Sequence, residues 1–494
     1  QCRYIGMTCK EFSGDLVLTT IDQIINSITS HTNVTALVDF LNSHVVFDEY
    51  HEYIPMPGFN LLFAELVQAK KLMGQAANTI LVSATPNYSF VERVLEIDND
   101  DIIDIKSFNN SQYQINFELF DESKRDQSNP LFKVQRQNTI VISNTTTTAQ
   151  QAFIYNQANE NAIVFHGKFK AKDKQLIFDK VYQSFKHNGT QAFDVLRSGP
   201  IVQAALNITC QQMTSEFTLA ENFLQRLGRL DRFGQSTKVN QYTIAIPDVI
   251  PDSNGKIKGS CARFLNSSNS YRSAYAWYEF LQANLTNNSL TINNIYQLYR
   301  GFYQSEQSRE VVEGDIIAAL KKSVKVIAAK VHDPMRYVKK LNASDKKKLK
   351  KTSLRGDSRF VQMALMHIES FDKYTISNDY AINWQERDSD FSNCYTESLN
   401  IIRESGLIDY VAKKHGRIDK TTPIEKIPAK SMGLRKQMLE GLAVEPQHPI
   451  YLSYTPDDLC EKLGESVPDE SAIYYVESNK QVIGAMPLHK IIQS

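Results

Sequence analysis

The first half of the chain is written in short apolar runs, each closed by a polar tip. Val45-Val46-Phe47 leads into Asp48-Glu49, and Thr79-Ile80-Leu81-Val82 into Ser83-Ala84-Thr85. Further on, Thr139-Ile140-Val141-Ile142 leads into Ser143-Asn144, and Ala162-Ile163-Val164-Phe165 into His166. Runs this short and β-branched predict strands buried in a parallel sheet, with their polar tips at the carboxyl edge where α/β sheets bind ligands. Residues 15–20 predict another buried strand. Between the runs the apolar spacing turns helical: from Ile21, with Thr20 or Asp22 as N-cap, over 34–41, over 60–73, from Ala149, and over 173–186. The stretches 193–196, 202–208 and 241–246 complete the second pattern. Strands alternating with helices predict an α/β protein with crossover helices.

Beyond residue 260 the pattern changes. Residues 271–285 and 312–331 read as helices, and 321–359 carries fourteen Lys or Arg against three Asp. Such a run is either a solvated face or a groove that tracks a nucleic-acid backbone. Near the end, 449–454 and 472–476 read as strands, and the turn Ser478-Asn479-Lys480 leads back into 481–485 as a hairpin. The expected division is 1–115, 116–255, a basic helical connector over 256–370, and a small accessory domain over 371–494.

Composition narrows this little. The 494 residues are 42% hydrophobic and 22% charged with zero net charge, so a nucleic-acid surface has to be local. Six cysteines without a Cys-x-x-Cys pair argue against a zinc site or a disulfide framework, and fit a reducing cytoplasm. No apolar stretch approaches the roughly 20 residues of a membrane span. With Gln rather than Met first, the chain is expected to be a piece of a longer polypeptide.

The polar tips are candidates for phosphate chemistry. At the end of a parallel strand, Asp48 can hold magnesium and Glu49 can activate water in nucleotide hydrolysis. Asp-Glu after an apolar run is also a common way for a strand to enter a loop. Thr20 and Gln23 at a helix start suit a phosphate, or serve as ordinary caps.

Three groups in order carry more: Asp48-Glu49-x-His51, Ser83-Ala84-Thr85, and Gln225-x-x-Gly228-Arg229-x-x-Arg232. They resemble motifs II, III and VI of superfamily 2 helicases, one RecA-like domain followed by another. Thr20-Ile21-Asp22-Gln23 and His166-Gly167-Lys168-Phe169 are similar to segments of the type I CRISPR-associated helicase-nuclease, the effector recruited to Cascade. The resemblance covers the chain well to about Ser236 and only loosely beyond. It implies tandem RecA-like domains, a helical connector and a C-terminal domain, driven by ATP and Mg2+ along single-stranded DNA displaced by a guide RNA.

It also implies roles. Asp48 would bind magnesium and Glu49 the hydrolytic water, while His51 and Gln225, with Gly228 in the same motif, would read the γ-phosphate. Arg229 and Arg232 would be arginine fingers. Ser83 and Thr85 would couple closure to DNA, and Thr20, Gln23, Asn144, His166 and Lys168 would touch the strand's phosphates.

Three departures stand out. No Gly-x-x-x-x-Gly-Lys-Ser/Thr occurs, so the phosphate-cradling loop is expected before Gln1, and this chain alone is not expected to hydrolyse ATP. In Gly199-Pro200-Ile201-Val202-Gln203-Ala204-Ala205-Leu206-Asn207-Ile208, Asn207 replaces the family's acidic residue, keeping a hydrogen bond without its charge. His332-Asp333 lacks the spaced histidines of a two-metal nuclease. The rival readings are another superfamily 2 motor acting on RNA or in repair or restriction, a non-hydrolysing nucleic-acid clamp, and a metal nuclease at His332-Asp333.

Overall fold

The computed structural model describes residues 15–30, 34–74, 77–124, 128–203, 206–248, 259–267, 270–285, 289–328, 473–487 and 490, together with six short strands between 360 and 452. Most of the basic stretch and His332-Asp333 lie outside the described residues. The chain divides into two compact units. The first comprises Gln1–Ile105, Asn266–Phe280 and Tyr299–Asp357; the second comprises Lys106–Leu265, Leu281–Leu298 and Ser358–Ser494.

In the first unit, strands β1 (Val45–Asp48) and β2 (Thr79–Val82) pair in parallel, Val45 against Thr79 and Asp48 against Val82. The helix Phe59–Leu72 between them makes the predicted crossover. Aromatic packing fixes β1: the Phe47 ring meets Phe63 edge-on at 5.1 Å and Phe40 at 5.9 Å. Lys70 is buried, and its ammonium donates to the carbonyls of Phe40, Leu41 and Ser43 at the end of the helix Val34–Asn42. A cation there satisfies carbonyls that the helix leaves orphaned.

Two expectations fail here. Residues 15–20 form no strand, and Leu16 and Leu18 are exposed. Strand β1 is not fully buried either, for Val46 is 63% exposed. With one neighbour each, β1 and β2 bury the side facing the helices and leave Val46, Ile80 and Val82 open.

The second unit is a seven-stranded sheet of order β5-β6-β4-β7-β8-β3-β9. Its strands are β3 (Gln112–Asp121), β4 (Thr139–Ile142), β5 (Ala162–Phe165), β6 (Val195–Ser198), β7 (Gln212–Glu216), β8 (Asn240–Asp248) and β9 (Leu290–Thr291). All neighbours are parallel except β9, which runs against β3. The α/β expectation therefore holds. The apolar runs β4 and β5 are buried throughout, as their composition requires. The helix Thr146–Asn156 starts on Thr145, whose hydroxyl accepts from Thr148 N at 3.2 Å. Inside the unit, Arg197 of β6 pairs with Glu160 and also donates to the carbonyls of Leu131 and Lys133, satisfying a charge with almost no solvent contact.

The tail forms the expected hairpin, Ile473–Ser478 against Gln481–Pro487, with Asn479 and Lys480 at positive φ in the turn. It extends a four-stranded sheet with His367–Ser370 and Thr375–Ile376.

Candidate functional site

In the first unit the carboxylates stand at the carboxyl end of β1. Asp48 is exposed, and the Glu49 side chain is 57% exposed. Glu49 takes φ +50, a left-handed conformation that costs a non-glycine residue about 1 kcal/mol or more. That turn sends the chain into the short helix Tyr50–Tyr53, whose Tyr50 and Tyr53 rings pack on Phe63 at 5.9 and 5.4 Å. The strain is thus held by a packed core, and the carboxylates are left facing outward.

Behind them His51 is buried, with Nδ1 2.7 Å from Ser83 Oγ and 3.4 Å from Glu49 Oε2. Its Nε2 lies 3.6 Å from Glu52 Oε1. Ser83 Oγ also accepts from Thr85 N at 3.0 Å. The Asp48-Glu49-x-His51 and Ser83-Ala84-Thr85 segments, far apart in sequence, are therefore one hydrogen-bonded assembly. Thr85 itself is fully buried, so its side chain is not a surface for DNA in this conformation. Thr20 is exposed and Gln23 partly so, but Gln23 Oε1 accepts from the Thr19 hydroxyl at 2.7 Å.

Asp48 and Glu49 are hard oxygen donors at an open rim. Among the described residues there is no group of three or more His, Cys, Asp or Glu able to cage a metal. The donor set therefore fits magnesium arriving with a nucleotide's phosphates, which needs only one or two protein carboxylates.

In the second unit the parallel strands bring Asn144 after β4, His166 after β5 and Gly199 after β6 to one rim. Two of the residues expected to touch the strand's phosphates are buried there. Asn144 is buried: its amide donates to Phe217 O at 2.7 Å and its Oδ1 accepts from Arg226 Nη2 at 2.7 Å. Its backbone N–H donates to Glu216 Oε2 at 2.7 Å. His166 is fully buried, with Nδ1 accepting from Lys168 N at 3.1 Å and Nε2 2.9 Å from Ile483 O in the tail hairpin. The carbonyl can only accept, so Nε2 carries the proton and the ring is neutral. Burial, helped by the Lys168 and Lys174 charges, holds its pKa down to about 3. Neither side chain has a group left for a phosphate. Lys168 is half-buried at the same loop.

The Gln225–Arg232 segment divides its arginines. Arg226 is buried and donates to Gln203 Oε1, Ser215 Oγ and Glu216 O as well as Asn144. Arg229 is also buried: its Nε donates to Val202 O at 3.1 Å and its Nη2 to Gln203 O at 2.9 Å. That guanidinium, expected as a finger, is bonded to the 200–203 turn. Arg232 is half-exposed and follows Asp231, a left-handed residue whose carboxylate accepts from Gln235 N, Ser236 N and Asn240 Nδ2. Arg232 N is itself tied to Thr209 Oγ1 at 3.1 Å. The backbone of Arg232 is thus tied while the residue stays half-exposed. Asn207 is exposed; Gln225 and Gly228 are half-exposed, Gly228 closing the helix Ala220–Leu227.

Sequence reasoning missed Arg226 and Gln203 as the ties between these segments. The signal was present: Arg226 falls with Phe223 and Leu227 on the buried stripe of its helix. A charged residue on such a stripe needs several acceptors.

Residues 135–235 match the family model for the C-terminal region of the CRISPR-associated nuclease/helicase Cas3. Among solved structures, T. fusca Cas3-ATP superposes with a TM-score of 0.56 at 13% identity, over 78% of this chain and 51% of that one. T. fusca Cas3-ADP gives 0.55 at 14% identity, over 80% and 52%. A chain of a CRISPR RNA-guided surveillance complex, pre-nicking, gives 0.54 at 13% identity, over 94% and 60%. This chain spans about half the length of the T. fusca chains. No curated protein sequence matches it. No helix among the described residues is long and apolar enough to cross a membrane. On this family match and this shared fold, the chain resembles the C-terminal part of the type I CRISPR-associated Cas3 helicases.

Proposed function

We propose that the chain is part of an ATP-driven single-stranded DNA translocase acting in type I CRISPR interference beside a Cascade-type RNA complex. In this reading Asp48 binds the magnesium of Mg-ATP and Glu49 takes the proton of the attacking water. Arg232 neutralises charge that develops on the transferred phosphoryl group, and Arg229 and Arg226 hold the turn and helix from which it projects. Thr20, Gln23 and Lys168 meet the phosphates of the tracked strand, residues 1–115 are the C-terminal part of the first RecA-like lobe, and 116–255 are the second. Gln225, Gly228 and Asn207 line the nucleotide side of the second lobe. The nucleotide's bound metal supplies Lewis-acid charge; the chain's residues supply the base, the positioning and the guanidinium.

The observation that carries this reading is the exposed Asp48-Glu49 pair wired through buried His51 to Ser83 at 2.7 Å. A strand end that merely entered a loop would need no such tie. The similar structures are of Cas3 with ATP, of Cas3 with ADP and of a CRISPR RNA-guided surveillance complex, which supports nucleotide and partner for this one. A clamp that never hydrolyses ATP is the rival from another class.

The test is Glu49→Gln in the full-length polypeptide that carries the phosphate-binding loop. Loss of a general base predicts a fall in ATP turnover of about 10²–10⁴-fold, with ATP still bound. Turnover and strand movement that survive the change contradict the motor reading and favour the clamp.

A further inference from the structure

The Ser83–Pro86 loop is held from outside by a residue that no motif contains. Tyr299, on the helix Ile292–Gln304, donates its hydroxyl to Pro86 O at 2.9 Å. The residue is almost wholly buried. Its ring stands edge-on to Trp277 at 6.1 Å and to Tyr303 at 5.2 Å, with Tyr88 at 6.2 Å. Such a cage fixes where the hydroxyl points. Further along the loop, the Thr85 hydroxyl is buried with no hydrogen-bond partner among the described residues. An orphaned buried hydroxyl costs the conformation that buries it. The loop therefore does not hold this shape through its own side chains alone, and the Pro86 tether acts where that cost is borne.

The helix has a second anchor. The two units divide within it, after Leu298. On the second unit's part of the helix, Asn293 Oδ1 accepts from Ser107 N at 3.1 Å and its Nδ2 donates to Ser107 O at 3.3 Å.

We propose that Tyr299 is a positioning residue. Through Pro86 it sets the Ser83–Pro86 loop, which Ser83 Oγ ties to His51, making this helix the route by which strand binding raises ATP turnover. The inference rests on the motor reading above and adds to it a coupling residue outside the motifs.

The experiment is Tyr299→Phe in the full-length protein, which keeps the ring and the packing and removes only the hydroxyl. The readouts are kcat and KM for ATP with and without saturating oligodeoxythymidine, DNA affinity, and thermal stability. The expected result is a fall of about tenfold in DNA-stimulated kcat, the rate equivalent of one well-placed hydrogen bond. Basal kcat, KM for ATP and DNA affinity stay within twofold of wild type. A variant stimulated by DNA as fully as wild type overturns the inference and leaves the motor reading standing. So does a variant whose stability collapses and takes basal turnover with it, because the hydroxyl is then structural. A wild-type protein whose turnover DNA does not raise overturns the motor reading and the inference together.

Discussion

Burial decides the chemistry of single residues here more than motif membership does. Glu49 is exposed and strained, His51 and Arg229 are buried and spent on internal bonds, and Arg232 is half-exposed with its backbone N–H tied to Thr209. His166 gives a pH test of the same principle. The unfolded chain takes up a proton near pH 6.5, whereas the folded ring resists one until about pH 3. Between those values the unfolded state binds more protons, so this contribution is complete above pH 6.5 and is lost progressively as pH falls. Each unit of acidification in that window costs about 1.4 kcal/mol, or roughly 4 °C in Tm. Thermal unfolding of wild type should therefore fall more steeply between pH 6 and pH 4 than that of His166→Gln. Parallel curves would show that the ring is not held neutral by its burial.

At the scale of elements, the tail hairpin completes the second unit. Ala485 N donates to Lys168 O at 2.9 Å, and Gln150 Nε2 donates to the carbonyls of Ile483 and Ala485. Tyr475 reaches Asp173 at 2.6 Å, and the Lys170 ammonium lies 4.3 Å from its ring centre. The approach is closest at Gly484, at φ +89, where a Cβ would stand 2.7 Å from Lys168 O and 2.9 Å from His166 Cε1. Gly484→Val should lift the hairpin. The strain and lost contacts, about 2 kcal/mol or more, should speed amide exchange over 473–487 about thirtyfold. Unchanged protection in that segment would mean that the glycine is incidental.

These contacts also explain what the sequence could and could not tell. The strands β4 and β5 were legible because their apolar runs match full burial, β1 and β2 because they carry the same kind of run although only part of each is covered, and the hairpin because its turn residues tolerate positive φ. Strands β3 and β7 were not: Gln112–Asp121 mixes Gln, Asn, Glu and Asp with its apolar residues and is mostly half-buried, and Gln212-Met213-Thr214-Ser215-Glu216 is mostly polar though buried. Its Ser215 and Glu216 are satisfied by Arg226 and Asn144, partners that only the tertiary fold supplies. Position after a strand made Asn144 and His166 look like rim residues. What covers them comes from Phe217, Arg226 and a hairpin more than 300 residues away from His166, which no local pattern encodes.

For the whole molecule, the proposed motor reading gives Asp48 the metal, Glu49 the proton and Arg232 the developing charge, with the buried Arg226 and Arg229 as scaffolding. It therefore separates three arginines of one short segment by task. On that reading Arg226 and Arg229 would serve the shape of the second unit, whereas Arg232 would be needed only while phosphate is being transferred. The most direct measurement is steady-state ATP turnover of Arg232→Ala in the full-length protein at saturating single-stranded DNA, with nucleotide affinity and Tm measured alongside. An arginine finger predicts a loss of about 10³–10⁵ in kcat, with Tm within about 2 °C of wild type and ATP affinity reduced far less than turnover. Turnover within twofold of wild type would contradict the account at its centre.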